Sequence, residues 1–365
     1  MKNNVPDVEI YEHIDKPYMT GKLLFIDNQN VLQEVDFLGG ETITITIKSL
    51  REDTVPIKNK FYISKVIGSK KVNDNTQAIV FHLVEDIGYI SNLQYVNRFY
   101  SGKITEILNK LSINYFDGKK VDSNGKDFGS KKLITPNLTP LETALWLTRT
   151  AKTKEGYPFF LYSSLVGDAL HFKDLGSMLS STVVNPDISY TYLQGTKNSK
   201  YPDIKRRGIR EYKVGEGANL LDLIEQNIVG SKYEFINSVI EDRDVFQFDI
   251  LKDVFKPLID KGVLQKNQNN PPFSPRYKYK EKSFNELETS YIPMVGGSCA
   301  YKESETTKDL AYNEEEYLSD YKAKVISHAM QMVLRTEPLS IIIDGVDFID
   351  GKFNGTVGNT LRIEF

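Results

Sequence analysis

Residues 139–176 read TPLETALWLTRTAKTKEGYPFFLYSSLVGDALHFKDLG, one helix followed by one hairpin. Thr139 has the side chain of a helix N-cap. Pro140 suits the first helical position, and Glu142 at the third completes a capping box. Leu141, Ala144, Leu145, Thr148 and Ala151 recur at helical spacing and predict one apolar stripe. Gly156 and Pro158 are expected to stop the helix. Two β-like runs follow, Phe159–Tyr162 and Ala169–Phe172, joined by the polar turn at 163–168. A capped helix beside an aromatic hairpin reads as a docking module, and it carries no obvious catalytic group.

Working outward, 365 residues predict two or three domains. With 40% hydrophobic and 11% aromatic residues, the chain can bury sizeable cores. Its 21 Tyr and 19 Phe against one Trp suit sheets and extended interfaces. A formal net charge of -3 gives no support for a general nucleic-acid binder. The single cysteine, Cys299, excludes an internal disulfide framework and any Cys-rich metal site, as suits assembly in a reducing cytoplasm. The first residues lack an apolar signal core, and no run has the length of a membrane span. The expectation is a soluble chain, intracellular when made.

Toward the N-terminus, Lys22–Asp27, Glu41–Ile47, Lys60–Val66 and Gln77–Val84 read as strands of a small antiparallel barrel. The Ile/Thr alternation over 42–47 marks one apolar and one polar face. Gly68–Thr76 reads as a polar loop and Glu85–Ile90 as the exit from the barrel. A short helix is expected over Ser101–Leu111, capped by Ser101, with Ile104, Ile107, Leu108 and Leu111 on one face. Residues 115–135 read as a long surface loop. Beyond the hairpin, Ile188–Leu193 and Val245–Ile250 are β-like, and Asn219–Ile228 is helical. Residues 264–282 form a loop or extended arm. Tyr317–Arg335 is a second amphipathic helix, with Tyr321, Val325, Ile326, Ala329, Met332 and Val333 as its stripe, ended by Pro338. The last strands are Ser340–Asp344 and Thr360–Phe365. The fold class is α+β, mainly β.

No motif in the chain carries chemistry. Asp122–Asp127 has half the pattern of a calcium loop, but its twelfth position is Leu133 rather than a carboxylate, so a solvated loop is expected. Gly125–Lys131 fails as a phosphate loop and Gly215–Gly217 as a dinucleotide fingerprint. The four histidines, His13, His82, His171 and His328, have no metal-ligand spacing; His82 and His171 are expected in hydrogen-bonded structural roles. Gly296–Cys299 lacks the nucleophile elbow, leaving Cys299 a packed or free thiol. Lys205–Arg207 reads as solvated surface, with subunit contacts second. The expectation is a non-enzymatic assembly subunit without catalytic, cofactor or metal residues.

Several stretches together resemble the baseplate hub proteins of contractile-tailed, T-even-type bacteriophages. These are Gln77–Ile90 with the helix after it, Leu138–Leu175 with its PFFLY strand, Arg276–Met294, and Tyr317–Phe365 with its GTVGNTLRI run. The resemblance implies two tube-like antiparallel β-barrel domains, at 1–115 and 181–365. A helix-plus-hairpin insertion at 116–180 separates them, and an arm at 264–316 interrupts the second. It implies a homotrimer in the virion baseplate, assembled in the host cytoplasm, joining a trimeric spike to a six-fold tail tube. The expected partners are the spike protein, tail-tube initiator proteins and surrounding wedge proteins, with DNA only in transit through the channel. The implied contact residues are Tyr277, Tyr279, Phe348 and Phe353. That family continues past the strand matching LRIEF with another hairpin, so this chain is expected to be a short member or a truncation. The rival expectations are a tail-associated cell-wall hydrolase and a receptor-binding tail protein.

Overall fold

The structure is a computed structural model. It describes residues 4–29, 34–35, 37–48, 56–73, 76–184, 189–192, 207–215, 220–237, 242–260, 278–283, 286–296, 301–303, 310–312, 314–335, 339–345 and 356–364. The chain is mainly β with helical additions, as expected, and its first sheet curls into a half-barrel. The strands are β1 (Asp7–Tyr11), β2 (Thr20–Asp27), β3 (Thr42–Ile47), β4 (Ile57–Asn73) and β5 (Thr76–Glu85). They pair antiparallel in the order β1-β2-β5-β4-β3.

Period-two patterning decides the inner face of this sheet. Leu23, Ile79, Phe81, Leu83, Phe61 and Ile63 point inward with Met19, while β3 alternates exposed Thr with half-buried Ile. Within the expected polar loop at Gly68–Thr76, residues 68–73 are strand instead, because β4 pairs with β5 out to Asn73 opposite Thr76. Three register shifts along that pair mark bulges, which bend and twist the long hairpin.

The expected barrel exit is a helix, α1 (Asp86–Ser91). After β6 (Phe99–Gly102) comes α2 (Ile104–Tyr115), which buries Ile104, Ile107, Leu108 and Leu111 as its periodicity requires. Ser101 lies in β6 and does not cap α2. The Glu106 carboxylate accepts the Lys103 N–H at 3.3 Å, and Asp127 accepts the Thr105 N–H at 3.0 Å and its hydroxyl at 2.6 Å. The cap comes from a residue 22 positions away, a contact no local pattern encodes. The expected surface loop at 115–135 contains two strands. β7 (Lys120–Ser123) joins the hairpin sheet, and β8 (Lys131–Ile134) pairs with β6.

The capping box at 139–142 forms as read. Helix α3 (Pro140–Thr150) has its Glu142 N–H donating to the Thr139 hydroxyl at 3.3 Å and the Thr139 N–H to the Glu142 carboxylate at 2.9 Å. The helix ends at Thr150, ahead of the expected stop at Gly156. Ala151 is already extended, and Lys152 then makes a β-bridge to Pro158. Its stripe is rotated toward Leu147, which is buried, whereas Leu145 is only half-buried.

Strands β9 (Phe159–Ser163) and β10 (Ala169–Asp174) pair antiparallel, with β7 parallel to β10. Phe159 and Leu161 enter one core with α2 and α3; Phe160 and Tyr162 face another with the C-terminal elements. A strand covered on both faces needs an unbroken apolar run, which explains PFFLY. Phe159 and Phe172 stack with ring centroids 4.5 Å apart.

A short helix, α4 (Leu175–Leu179), follows, capped where Asp174 accepts the Ser177 N–H at 2.9 Å. Beyond it lie β11 (Tyr190–Thr191), β12 (Glu211–Val214), α5 (Leu220–Glu225), β13 (Ser231–Asn237) and β14 (Asp242–Gln247). The expected strand over 245–250 ends at Gln247, and a π-helical turn over Leu251–Phe255 leads into α6 (Lys256–Asp260). The hairpin β15 (Lys278–Tyr279) and β16 (Lys282–Ser283) precedes β17 (Ser290–Gly296), β18 (Tyr301–Glu303) and β19 (Leu310–Tyr312). Then come α7 (Glu314–Arg335), β20 (Leu339–Ile342) and β21 (Ile363–Glu364).

β13 lies between β14 and β17, β12 pairs with β20, and β11 pairs parallel with β21. Helix α7 buries Tyr321, Val325 and Ala329 as expected, together with Ala323 and Met330. Ile326 is half-buried against Gly156, where an added Cβ would collide with its side chain. The close approach, with φ at +89°, leaves room only for glycine.

Candidate assembly junction

The residues with buried polar chemistry converge on the turn between β9 and β10. Glu85, at the end of β5, is 4% exposed. One carboxylate oxygen takes the Lys119 ammonium at 2.7 Å and the Ser163 hydroxyl at 2.8 Å, and the other takes the Met19 N–H at 2.8 Å. Burial alone would pull the Lys119 ammonium down, but the charge and hydrogen bond of Glu85 hold it above its ordinary value. Two residues beyond Ser163, the Leu165 carbonyl accepts the Asn59 side-chain amide at 2.9 Å. The half-barrel therefore grips the turn from β4 and β5 together.

Glu12, between β1 and β2, ties three distant parts of the chain. Its carboxylate accepts the Leu165 N–H of the turn and, at 2.9 Å, the Val357 N–H of the C-terminal segment. Beside it, Gly358 sits against the Tyr162 hydroxyl at φ +83°, so any side chain there meets both strain and a clash. Burial raises the Glu12 carboxyl above its usual range, with the two backbone N–H groups only partly offsetting it. Burial likewise pushes the Tyr162 hydroxyl up to about 12.

On the outer side of the hairpin, His171 stacks on Tyr162 at 5.1 Å. Its Nδ1 lies 3.0 Å from Asp122 Oδ2 and its Nε2 3.1 Å from the Ser164 hydroxyl. Lys173 holds the other Asp122 oxygen at 2.8 Å. Desolvation works to raise the Asp122 carboxyl, but the hydrogen bonds from Lys173 and His171 bring it below the usual range. His82 is bonded through Nδ1 to the Ser64 hydroxyl at 2.6 Å. Both strand histidines are hydrogen-bonded as expected.

The stretch read as a solvated loop is bound instead at both ends, Asp122 to His171 and Lys173, and Asp127 to α2. Asp127→Ala is expected to cost about 1–2 kcal/mol, the value of a lost helix cap, with Asp127→Asn retaining most of it. Urea unfolding followed by circular dichroism reads that difference.

A cleft of about 500 Å³ opens beside the turn, walled by Lys58, Lys60, Lys119, Asp86 and Asp168. Its mixed charges select no ligand class. Among the described residues no group of three His, Cys, Asp or Glu could hold a metal ion, and no helix is long and apolar enough to cross a membrane.

Of the residues expected to make contacts, Tyr277, Phe348 and Phe353 lie outside the described residues, as do Cys299 and Lys205. Tyr279 is in the two-residue strand β15, paired with Lys282 of β16. The residues the structure does bring together, Glu12, Glu85, Lys119 and Ser163, carried no sequence signal. Each is an ordinary polar residue whose partner lies 34 to 345 positions away.

No family model matches the chain, and no curated protein matches it. It is similar to several solved structures. One is a tail protein from Neisseria meningitidis, at 12% identity and a TM-score of 0.48, covering 92% of this chain and 74% of that one. Another is the 43 kDa tail protein of prophage MuSo2 from Shewanella oneidensis, at 12% identity and a TM-score of 0.34, covering 66% and 62%. A third is an E. coli component of the type VI secretion system, described as structurally similar to T4 bacteriophage tail proteins. It has 11% identity and a TM-score of 0.33, covering 59% and 54%.

Proposed function

We propose that this chain is a structural, non-enzymatic subunit of a contractile-tail baseplate hub. Three copies form a ring in the virion tail that joins a trimeric spike to the tail tube and lets DNA pass. The spike, the tube initiator proteins and the wedge proteins are its partners. The observation that carries this reading is the open half-barrel. Among the described residues no strand pairs with the outer edges of β1 and β3. Exposed edges invite pairing, and an assembly subunit uses them to extend its sheet into a neighbour.

Charge supports a head-to-tail arrangement. The exposed residues of β1 include Asp7 and Glu9, the latter with Lys22 of β2 at 3.8 Å and the Tyr11 hydroxyl as neighbours, whereas Lys58 and Lys60 stand beside β3, opposite Thr46 and Thr44. A closed heterologous contact makes a ring, and opposite charges across it set the register.

Light scattering on the purified chain, alone and with a trimeric spike protein, tests the reading. A trimer, or a monomer made trimeric by the spike, is expected. Asp7→Lys with Glu9→Lys should weaken self-association by about tenfold or more, because like charges then oppose across the contact. A chain that stays monomeric at every concentration and ignores the spike overturns it.

One observation favours a hydrolase as the second reading. Ser164, His171 and Asp122 stand in the order and at the distances of a nucleophile, base and orienting carboxylate. It ranks second because Ser164 is 4% exposed and its hydroxyl donates to the Val166 carbonyl at 2.8 Å. The N–H that follows it, a natural oxyanion donor, is taken by Glu12. Fluorophosphonate labelling of the wild type that disappears in Ser164→Ala would replace the structural reading with this one.

A further inference from the structure

A cavity of about 170 Å³ lies where the segment after α3 meets α7. Arg149 from the last turn of α3 and Lys324 from α7 both line it, and Lys152 and His328 belong to the same wall. Ser327 and Gln331 add a hydroxyl and an amide. Arg149 and Lys324 have no ion-pair partner among the described residues. The contrast with Lys322 on the same helix is instructive. Lys322 has Asp244 at 3.6 Å and the Phe246 ring at 5.7 Å.

Two exposed cations are thus brought by separate elements to the wall of one cavity, and no carboxylate stands among the described residues of that wall. A guanidinium offers two parallel donors to an oxyanion, and an ammonium adds a point charge. We propose that this cavity is an oxyanion site, holding one phosphate or carboxylate group between Arg149 and Lys324. The ligand is either free inorganic phosphate or an acidic side chain presented by a partner protein. The inference stands apart from the hub reading, since it uses no edge strand and needs no assembly.

Calorimetric titration of the full chain tests it, with inorganic phosphate in one arm and a hexaglutamate peptide in the other. Sodium chloride keeps the ionic strength fixed, so that screening alone gives no signal. Saturable binding is expected in one arm, about tenfold or more weaker in Arg149→Ala/Lys324→Ala and unchanged in Lys322→Ala. Binding of phosphate alone assigns a free anion, and of hexaglutamate alone an acidic partner segment. Both substituted side chains are exposed, so the variants should fold; Arg149→Gln and Lys324→Gln singly give the same readout if the double variant does not. No saturable binding in either arm, or equal binding by the double variant, overturns the proposal.

Discussion

Glu85→Ala should lower the unfolding free energy by about 3–5 kcal/mol, the cost of leaving one member of a buried ion pair alone. The Lys119 and Glu85 side chains are 12% and 6% exposed, so most of the water each charge would need is excluded, although both border the cleft beside the turn. The substitution also strips the Met19 N–H and the Ser163 hydroxyl of their acceptor. Lys119 retains Asp168 at 3.6 Å, but that carboxylate is solvated and recovers little. Trp146, the only tryptophan, lies in α3 and reports unfolding of the hairpin module by fluorescence in urea. Replacing both charges, as Glu85→Leu with Lys119→Met, should recover much of the loss, because the unpaired cation is its main source. If Glu85→Ala costs under about 1 kcal/mol, the pair is solvated and the junction does not hold the turn.

The second large effect is expected at Glu12. Glu12→Ala leaves the Leu165 and Val357 N–H groups without their acceptor, at about 1–3 kcal/mol for each buried donor. The expected sum is about 2–4 kcal/mol, allowing for partial access of water to the site. Glu12→Gln retains one carbonyl oxygen and should lose about half as much.

The pH dependence has a definite sign. Because burial raises the folded carboxyl above its ordinary value, the folded state binds this proton more tightly than the unfolded one. Between the two pKa values, stability from this group therefore rises as pH falls. Relative to Glu12→Gln, the wild type should gain stability on acidification from neutral toward the ordinary glutamate range. The neighbouring charged groups are His171 and Glu85, and neither is altered in the comparison. Thermal melts of the two proteins across that window read the difference, and parallel pH profiles would refute the assignment.

The stretch at 139–176 was legible because its signals are local. A cap needs its acceptor three residues from its donor, and Thr139 and Glu142 supply both. A strand covered on two sides needs consecutive apolar residues, and PFFLY shows them. The alternation in β3 and β5 and the stripe of α2 were readable for the same reason: each follows from the period of one element.

The errors share a cause as well. Gly68–Asn73 looks like loop, yet pairs as strand because β5 lies beside it. Residues 120–123 and 131–134 have weak propensity and become strands only through β10 and β6. Ser101 is a good cap by type, but Asp127 reaches α2 and Ser101 does not. Thus periodicity and capping by themselves determined the N-terminal strands, α2, the capped start of α3, the two runs of the hairpin and the mainly β class, whereas the strands made by distant pairing and the burial of the hairpin on both faces were decided by the tertiary structure. Only the tertiary structure decided the polar junction. Glu12, Glu85 and Lys119 become special when burial removes water and leaves one another, and distant backbone N–H groups, as their partners.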